Sequence, residues 1–286
     1  MTARAESPEL VALLASRRVA VLTGAGISTD SGIPDYRGPA SPPSNPMTIR
    51  QFTSDPAFRQ RYWARNHLGW RHMDGTRPNA GHRALAALER AAVVTGVITQ
   101  NVDLLHTKAG STNVVNLHGT YARVVCLRCH YGMSRAALAE ELEALNPGFI
   151  ERAEAGGGLA VAPDADASIS PAADTVSFRY LDCPRCGGML KPDIVYFGES
   201  VPKDVVAMAY SLVDRADALL VAGSSLTVFS GYRFVRHAAA LGIPIAIVNR
   251  GPTRGDDLAA VKVDGGCSEL LARLAWELAG ALTPPR

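Results

Sequence analysis

The sequence predicts an α/β protein: a Rossmann-like parallel-sheet domain with an inserted small lobe and a helical flap. Three observations predict it. An apolar, β-branched run at 19–22 has the length of a buried parallel strand and breaks into Thr23-Gly24-Ala25-Gly26. Further apolar runs at 93–99, 114–117, 218–222 and 243–248 alternate with helical stretches and end in polar residues. Two C-x-x-C pairs, Cys126/Cys129 and Cys183/Cys186, stand where that alternation is interrupted.

Taken in order, Ser7-Pro8 supplies an N-cap and a first helical residue for a short helix reaching Ala15. The glycine turn after the first strand lets backbone amides close on a bulky anion, with a helix start and its dipole behind them. It departs from the ordinary dinucleotide fingerprint, because Thr29 stands where a third Gly or Ala is usual. G-I-P-D-Y-R at 32–37 then puts Asp35, Tyr36 and Arg37 in one turn, and the proline-rich stretch 38–50 is expected to lack regular structure. Aromatics at helical spacing over 55–73 predict a flap that packs Phe58, Tyr62 and Trp70 inward. A helix over 82–92 leads into the strand at 93–99, which ends in Gln100-Asn101-Val102-Asp103, and a brief helix over 104–109 follows. The strand at 114–117 ends in His118-Gly119. Ligands of open parallel sheets gather at the carboxyl ends of strands, so Thr23 onward, 100–103 and His118 are expected to converge.

Each cysteine pair suits a tight knuckle, and four thiolates close a tetrahedral zinc site with no position left for catalysis. The metal is therefore expected to be structural, folding a lobe with little core of its own. Between the pairs come a helix over 134–145 and a Gly/Ala/Asp/Pro-rich loop over 147–173. The α/β rhythm resumes with a helix over 201–216 and the strand at 218–222 that ends in Gly223-Ser224-Ser225. A helix over 231–241, the strand at 243–248 ending in Asn249-Arg250-Gly251, and a short strand at 261–263 complete the sheet, with Ser268 expected to cap the last helix. The zinc-binding lobe, 119–195, is thus inserted within one domain spanning 1–286. Its nucleotide-binding lobe comprises 17–37, 75–118 and 196–280, and 38–74 holds the loop and flap.

Composition bounds the rest. Apolar residues are 47% of the 286, ample for a core, and a net charge of +2 makes no broad basic field, so nucleic acid is not an expected partner. Four of five cysteines fall in the pairs, which is metal arithmetic and implies a reducing compartment. The N-terminus has no signal-peptide pattern, and no apolar run reaches the roughly 18 residues a membrane span needs. A cytoplasmic monomer is the expectation.

These motifs together resemble the sirtuin family of NAD-dependent protein deacylases. The matching signatures are G-A-G-I-S (24–28), G-I-P-D-Y-R (32–37), T-Q-N-V-D (99–103), H-G (118–119), the paired C-x-x-C, Y-F-G-E (196–199), G-S-S-L (223–226) and V-N (248–249). They stand in family order over essentially the whole chain, and R-Q-R-Y-W-A-R-N, G-G-M-L-K-P-D and G-P-T-R-G-D-D-L resemble the class II branch that includes the mitochondrial fourth sirtuin.

The resemblance implies NAD as a consumed co-substrate, one structural zinc, and acyl-lysine proteins or peptides as substrates. It puts Gly24, Ala25 and Gly26 at the pyrophosphate with Ser28 nearby, and Asp35, Tyr36 and Arg37 on the cofactor loop. Gln100 and Asn101 would hold the nicotinamide ribose, with Asn101 also counted as catalytic, and Val102 and Asp103 would receive the carboxamide. Gly223, Ser224, Ser225, Asn249, Arg250 and Gly251 would line the adenosine half, and Cys267 would touch adenine through its backbone. His118 would be the general base, near its ordinary pKa, with His82 and His106 as competing histidines. The acyl-lysine amide oxygen displaces nicotinamide in this scheme, and a ribose hydroxyl deprotonated by His118 then attacks the acyl carbon. Val195, Phe197 and Gly198 would hold the peptide by strand addition.

Read without the family, Gln100 and Asn101 could equally cap the helix that follows, and Cys267 could be a small buried apolar residue. The acyl group is open. Tyr62-Trp63-Ala64-Arg65 has the Tyr-x-x-Arg spacing of carboxylate-gripping sirtuins, but lies one helical turn early, where Asn66 and Gly69 take the family positions. Its other reading is a helix that packs its tyrosine and solvates its arginine. The 147–173 loop resembles the branch's loop toward the active site. The competing functions are mono-ADP-ribosyl transfer from the same NAD site and a non-catalytic, NAD-sensing binding module.

Overall fold

The computed structural model describes residues 7–36, 46–155, 160–163, 165–168 and 175–280. Helix α1 (Pro8–Leu14) begins at Ser7, whose hydroxyl accepts from the amide of Leu10, and leads into β1 (Val19–Thr23). Helices α2 (Ile49–Ser54) and α3 (Pro56–Gly75) form the flap, followed by α4 (Ala80–Arg90), β2 (Val94–Thr99), α5 (Leu105–Lys108) and β3 (Val114–Asn116). The inserted lobe holds β4 (Gly119–Cys126), β5 (Gly132–Ser134), α6 (Arg135–Leu145), α7 (Phe149–Ala155), β6 (Ala160–Val161), β7 (Ala167–Ser168) and β8 (Leu190–Ile194). Then come α8 (Lys203–Asp214), β9 (Ala218–Ala222), α9 (Phe229–Ala240), β10 (Ile245–Asn249), β11 (Val261–Asp264) and α10 (Cys267–Ala279).

Six parallel strands lie in the order β11-β10-β9-β1-β2-β3, so the winding direction reverses between β1 and β9. The crevice outside the carboxyl ends at such a reversal is where open α/β sheets take their ligands. Register sharpens this: Thr23 is level with Thr99 and with Ala222, so the chain leaves all three strands side by side. Alternation along β1 serves both faces of the sheet. Val19 and Val21 pack with Leu10, Leu85 and Leu270, while Ala20 and Leu22 pack with Leu212 and Phe234.

A separate core joins the flap to the inserted lobe. Tyr62 is buried as expected, with Phe52, Trp63 and Tyr196 in edge or tilted ring contact at centroid distances of 5.4 to 6.4 Å, and Phe58 and Trp70 pack partly buried against this core. The lobe's own sheet is antiparallel, β5-β4-β8.

Four expectations need correction. The glycine turn does not open an α-helix: it enters two single 3-10 turns, Ala25–Ile27 and Thr29–Ser31, so no long helix dipole stands behind it. The stretch over 147–173 is partly regular, since α7 and the β6–β7 pair occupy it, with Ala165 buried beneath α3. Helix α10 starts at Cys267 with Gly266 as its cap, and Ser268 caps nothing. Within 38–50, Thr48 bridges Phe197 and caps α2 through a reciprocal pair with Gln51, while 38–45 lie outside the described residues.

Candidate active site

A cavity of about 850 Å³ opens at the sheet reversal. That is within the roughly 300–1,000 Å³ range of small-molecule sites. Its wall collects residues from five of the six predicted strand ends, all but that of the strand at 261–263: Gly24, Ala25, Gly26 and Ser28 after β1, and Gln100, Asn101, Val102 and Asp103 after β2. Gly223, Ser224 and Ser225 after β9, Asn249, Arg250 and Gly251 after β10, and Asp35 and Tyr36 of the predicted nucleotide set also line it. Val195, Phe197 and Gly198 line it as well. Arg37 lies outside the described residues, and Cys267 does not line the cavity: its thiol is buried, 3.8 Å from the Val248 carbonyl, and burial pushes it up to about 12.

The glycines act by close approach. A Cβ on Gly24 or Gly26 would stand 2.9 Å from the carbonyl oxygen of Gly223, so the turns after β1 and β9 interlock only without side chains. Gly223 itself has φ +65°, the left-handed region that favours glycine. Beyond them, the Gln100 amide donates to Ser224 Oγ at 2.9 Å, and the Asn101 amide donates to the Gly24 carbonyl and to Ser28 Oγ, both at 3.1 Å.

Below this wall Ser28 donates to Asp103 Oδ2 at 2.6 Å, and the amide of Leu105 donates to Oδ1 at 2.9 Å. Burial nevertheless raises the Asp103 pKa, the two hydrogen bonds opposing it. His82 and His106 lie buried underneath with ring centroids 4.9 Å apart, His106 against Thr23 Oγ1 at 2.9 Å. Burial holds His82 down to about 4 and His106 well below its ordinary value, so both are neutral packing elements.

His118 is the histidine that reaches the cavity. Its Nδ1 is 2.9 Å from the Gln100 carbonyl, and its Nε2 is 2.7 Å from Ser230 Oγ. A carbonyl only accepts, so Nδ1 carries the proton of the neutral ring and Nε2 keeps its lone pair. The imidazole does not sit near its ordinary pKa. Burial lowers it, the Gln100 carbonyl opposes that, and the Arg233 guanidinium adds to it. The ring is therefore a neutral proton acceptor at pH 7.

Sequence reasoning missed Ser230, Arg233 and Phe229 from α9, Glu199, and Pro163 from the insert, all of which line the cavity. Glu199 is positional: its carboxylate accepts from the Tyr196 amide at 2.7 Å and from Lys191 at 2.8 Å, fixing the 196–199 turn. Phe197 uses its N–H on the Met47 carbonyl and its carbonyl on the Ile49 amide. Arg65 is half-buried rather than free in solvent: it grips Asp166 in a two-pronged ion pair.

The four cysteine sulfurs lie within 4.8 Å of one another, with 3.6 Å between Cys126 and Cys186 and 3.7 Å between Cys129 and Cys183. Tetrahedral zinc with Zn–S bonds near 2.3 Å requires about 3.8 Å between sulfurs, so the cluster fits that ion. With four protein sulfurs around it, such an ion would keep no open coordination position.

Comparison with known proteins places this geometry. The model of the Sir2 family matches residues 24–230. The chain is 84% identical over 275 residues to NAD-dependent protein deacetylase 1 of Mycobacterium avium, covering 96% of each. It is 47% identical over 261 residues to the NAD-dependent protein lipoamidase sirtuin-4 of Bos taurus, covering 90% of this chain and 81% of that protein. A solved structure described as Sir2 with a p53 peptide and NAD+ superposes with a TM-score of 0.75 at 32% identity, over 96% of this chain and 99% of that one. Among the described residues no helix is long and apolar enough to cross a membrane. The chain belongs to the Sir2 family.

Proposed function

We infer that this chain is an NAD-dependent protein-lysine deacylase, moving the acyl group of a modified lysine to ADP-ribose with release of nicotinamide. The observation that carries it is His118, neutral, with its Nδ1 proton fixed on the Gln100 carbonyl and its Nε2 lone pair on the cavity side. Relatives named as NAD-dependent deacetylases and a lipoamidase support the reaction class. Bound NAD supplies an electrophilic sugar carbon and the hydroxyl that accepts the acyl group.

The chain's own residues divide the rest. The interlocked glycine turns at 24–26 and 223–225 bring backbone close to the pyrophosphate, and Arg250 supplies positive charge at the same wall. The Ser28–Asp103 pair, close to the Asn101 amide, is the polar end suited to the carboxamide. His118 Nε2 takes a sugar hydroxyl proton, and the freed oxygen attacks the acyl carbon. Because Phe197 already pairs with the 47–49 segment, a peptide adding as a strand must use the opposite edge, through Gly198. The 160–168 segment takes part in acyl choice, supported by Pro163 on the wall and Asp166 anchored on α3. Action on proteins rather than nucleic acid is supported by the near-neutral charge, and a reducing compartment such as the cytoplasm by four of the five cysteines falling in metal-type pairs.

Mass analysis of products from acyl-lysine peptide and NAD tests this reading. O-acyl-ADP-ribose plus free lysine supports it. ADP-ribose left covalently on protein, without O-acyl-ADP-ribose, would assign mono-ADP-ribosyl transfer instead, and no turnover would leave a binding module.

A further inference from the structure

The first turn of α9 is docked on the base by two neighbouring residues. Gly231 is buried, and a Cβ there would stand 2.5 Å from the side-chain oxygen of Gln100, so the helix packs directly on that side chain and an added methyl would push it aside. That approach brings Ser230, half-buried on the cavity wall, to 2.7 Å from His118 Nε2. The Gln100 main-chain carbonyl thus holds the ring from one side, and Ser230, on the helix turn packed against the Gln100 side chain, holds it from the other.

The imidazole has one lone pair at Nε2, and it is engaged by the Ser230 hydroxyl. A sugar hydroxyl cannot donate to the same lone pair while Ser230 does. We propose that Ser230 is a positioning residue for His118: its hydroxyl donates to Nε2 of the neutral ring, gives way to the sugar hydroxyl, and turns to accept from the protonated ring. In the step between, the sugar O–H bond breaks, the proton forms an N–H bond at Nε2, and the oxygen keeps the electron pair it uses on the acyl carbon. The hydrogen bond stands by itself, while its catalytic consequence rests on the deacylase reading.

The two states of the ring are not served equally. A hydrogen bond to a charged partner is about twice as strong as a neutral one, so a freely turning hydroxyl favours the protonated ring. Removing it should make His118 harder to protonate. The other charged groups around the cavity, Arg233 on α9, Asp103 after β2, Asp35, Glu199 and Arg250, are unchanged by substitution at 230.

NMR titration of the His118 ring in protein without NAD or peptide reads this directly. Ser230→Ala should lower the midpoint by roughly 0.5–1 pH unit, and Ser230→Thr, which keeps the hydroxyl, should leave it in place. Ser230→Cys, a weak donor, should fall between, and serves if the alanine variant does not fold. The acid limb of kcat/KM should move the same way. A midpoint unmoved or raised in Ser230→Ala, or lowered equally in Ser230→Thr, would overturn the proposal. The titration needs no turnover, so a failed deacylase reading and a failed role for Ser230 give different results.

Discussion

Arg65 on the flap and Asp166 on the insert hold each other through two hydrogen bonds, 2.7 Å from Nε to Oδ1 and 2.9 Å from Nη2 to Oδ2. One helical turn further along α3, Gly69 lies under the main chain of Ala165, whose carbonyl oxygen a Cβ would overlap. The pair and the notch hold Ala165 and Asp166 on α3, close in sequence to Pro163 on the cavity wall. Burial raises the Asp166 carboxyl despite the guanidinium, so the pair is a specific contact more than a strong one.

In an open helix Gly→Ala gains about 1 kcal/mol of propensity. At 69 the added methyl must displace backbone, and overpacking of that kind costs about 1–3 kcal/mol. Gly69→Ala should therefore lower the thermal midpoint, and both it and Arg65→Ala should change the ranking of acyl groups in a peptide panel. A stabilised Gly69→Ala protein with the same acyl ranking would remove the insert from specificity.

Zinc removal should act through the fold. Cys126 closes β4, the strand that begins at Gly119 directly after His118, and the Cys183 and Cys186 knuckle leads into β8, paired with β4. A chelator, or Cys183→Ser, should lose the metal, lower the thermal midpoint and abolish turnover together, as the metal's binding energy is folding energy for such a lobe. A metal-free protein with its midpoint and activity intact would contradict this.

Acid should weaken the protein through histidines the chemistry does not use. His67 packs on Phe178 with both ring nitrogens buried and unpartnered among the described residues, and burial holds it down to about 4, as it does His82. A depressed imidazole stays neutral in the fold while the unfolded chain takes a proton. Stability is thus full above 6.5 and falls toward pH 4, by roughly 1.4 kcal/mol per pH unit for each such ring. His67→Leu should flatten that fall without loss at pH 8, measured by denaturant unfolding; an unchanged slope would mean His67 is not one of the groups responsible.

The nucleotide half was legible because its signals are local. V-A-V-L before Thr23-Gly24-Ala25-Gly26 announces a buried strand and a close-packed turn, and β1 and the 3-10 turns occupy those residues. His118 was legible by its place at the end of a strand facing the ligand edge. Ser230 was not, since a serine at a helix start has no meaning until the fold brings it against His118, a contact between distant parts of the chain. The Arg65 partner was not legible for the same reason, since Asp166 lies in a segment whose glycine, alanine and proline content suggested only a loop. Ser268 fitted a capping rule, but the chain enters α10 two residues earlier, at Gly266-Cys267. Helix α7 escaped because a stretch this short, entered through Pro147-Gly148, has little periodicity to read.

The most direct test compares wild type with His118→Ala in one assay, quantifying O-acyl-ADP-ribose from acyl-lysine peptide and NAD while zinc content and thermal midpoint are checked. Loss of the base should cut product formation about 10²–10⁴-fold with metal and fold retained. Equal O-acyl-ADP-ribose from both proteins would contradict the assignment of His118 as the residue that takes the sugar proton.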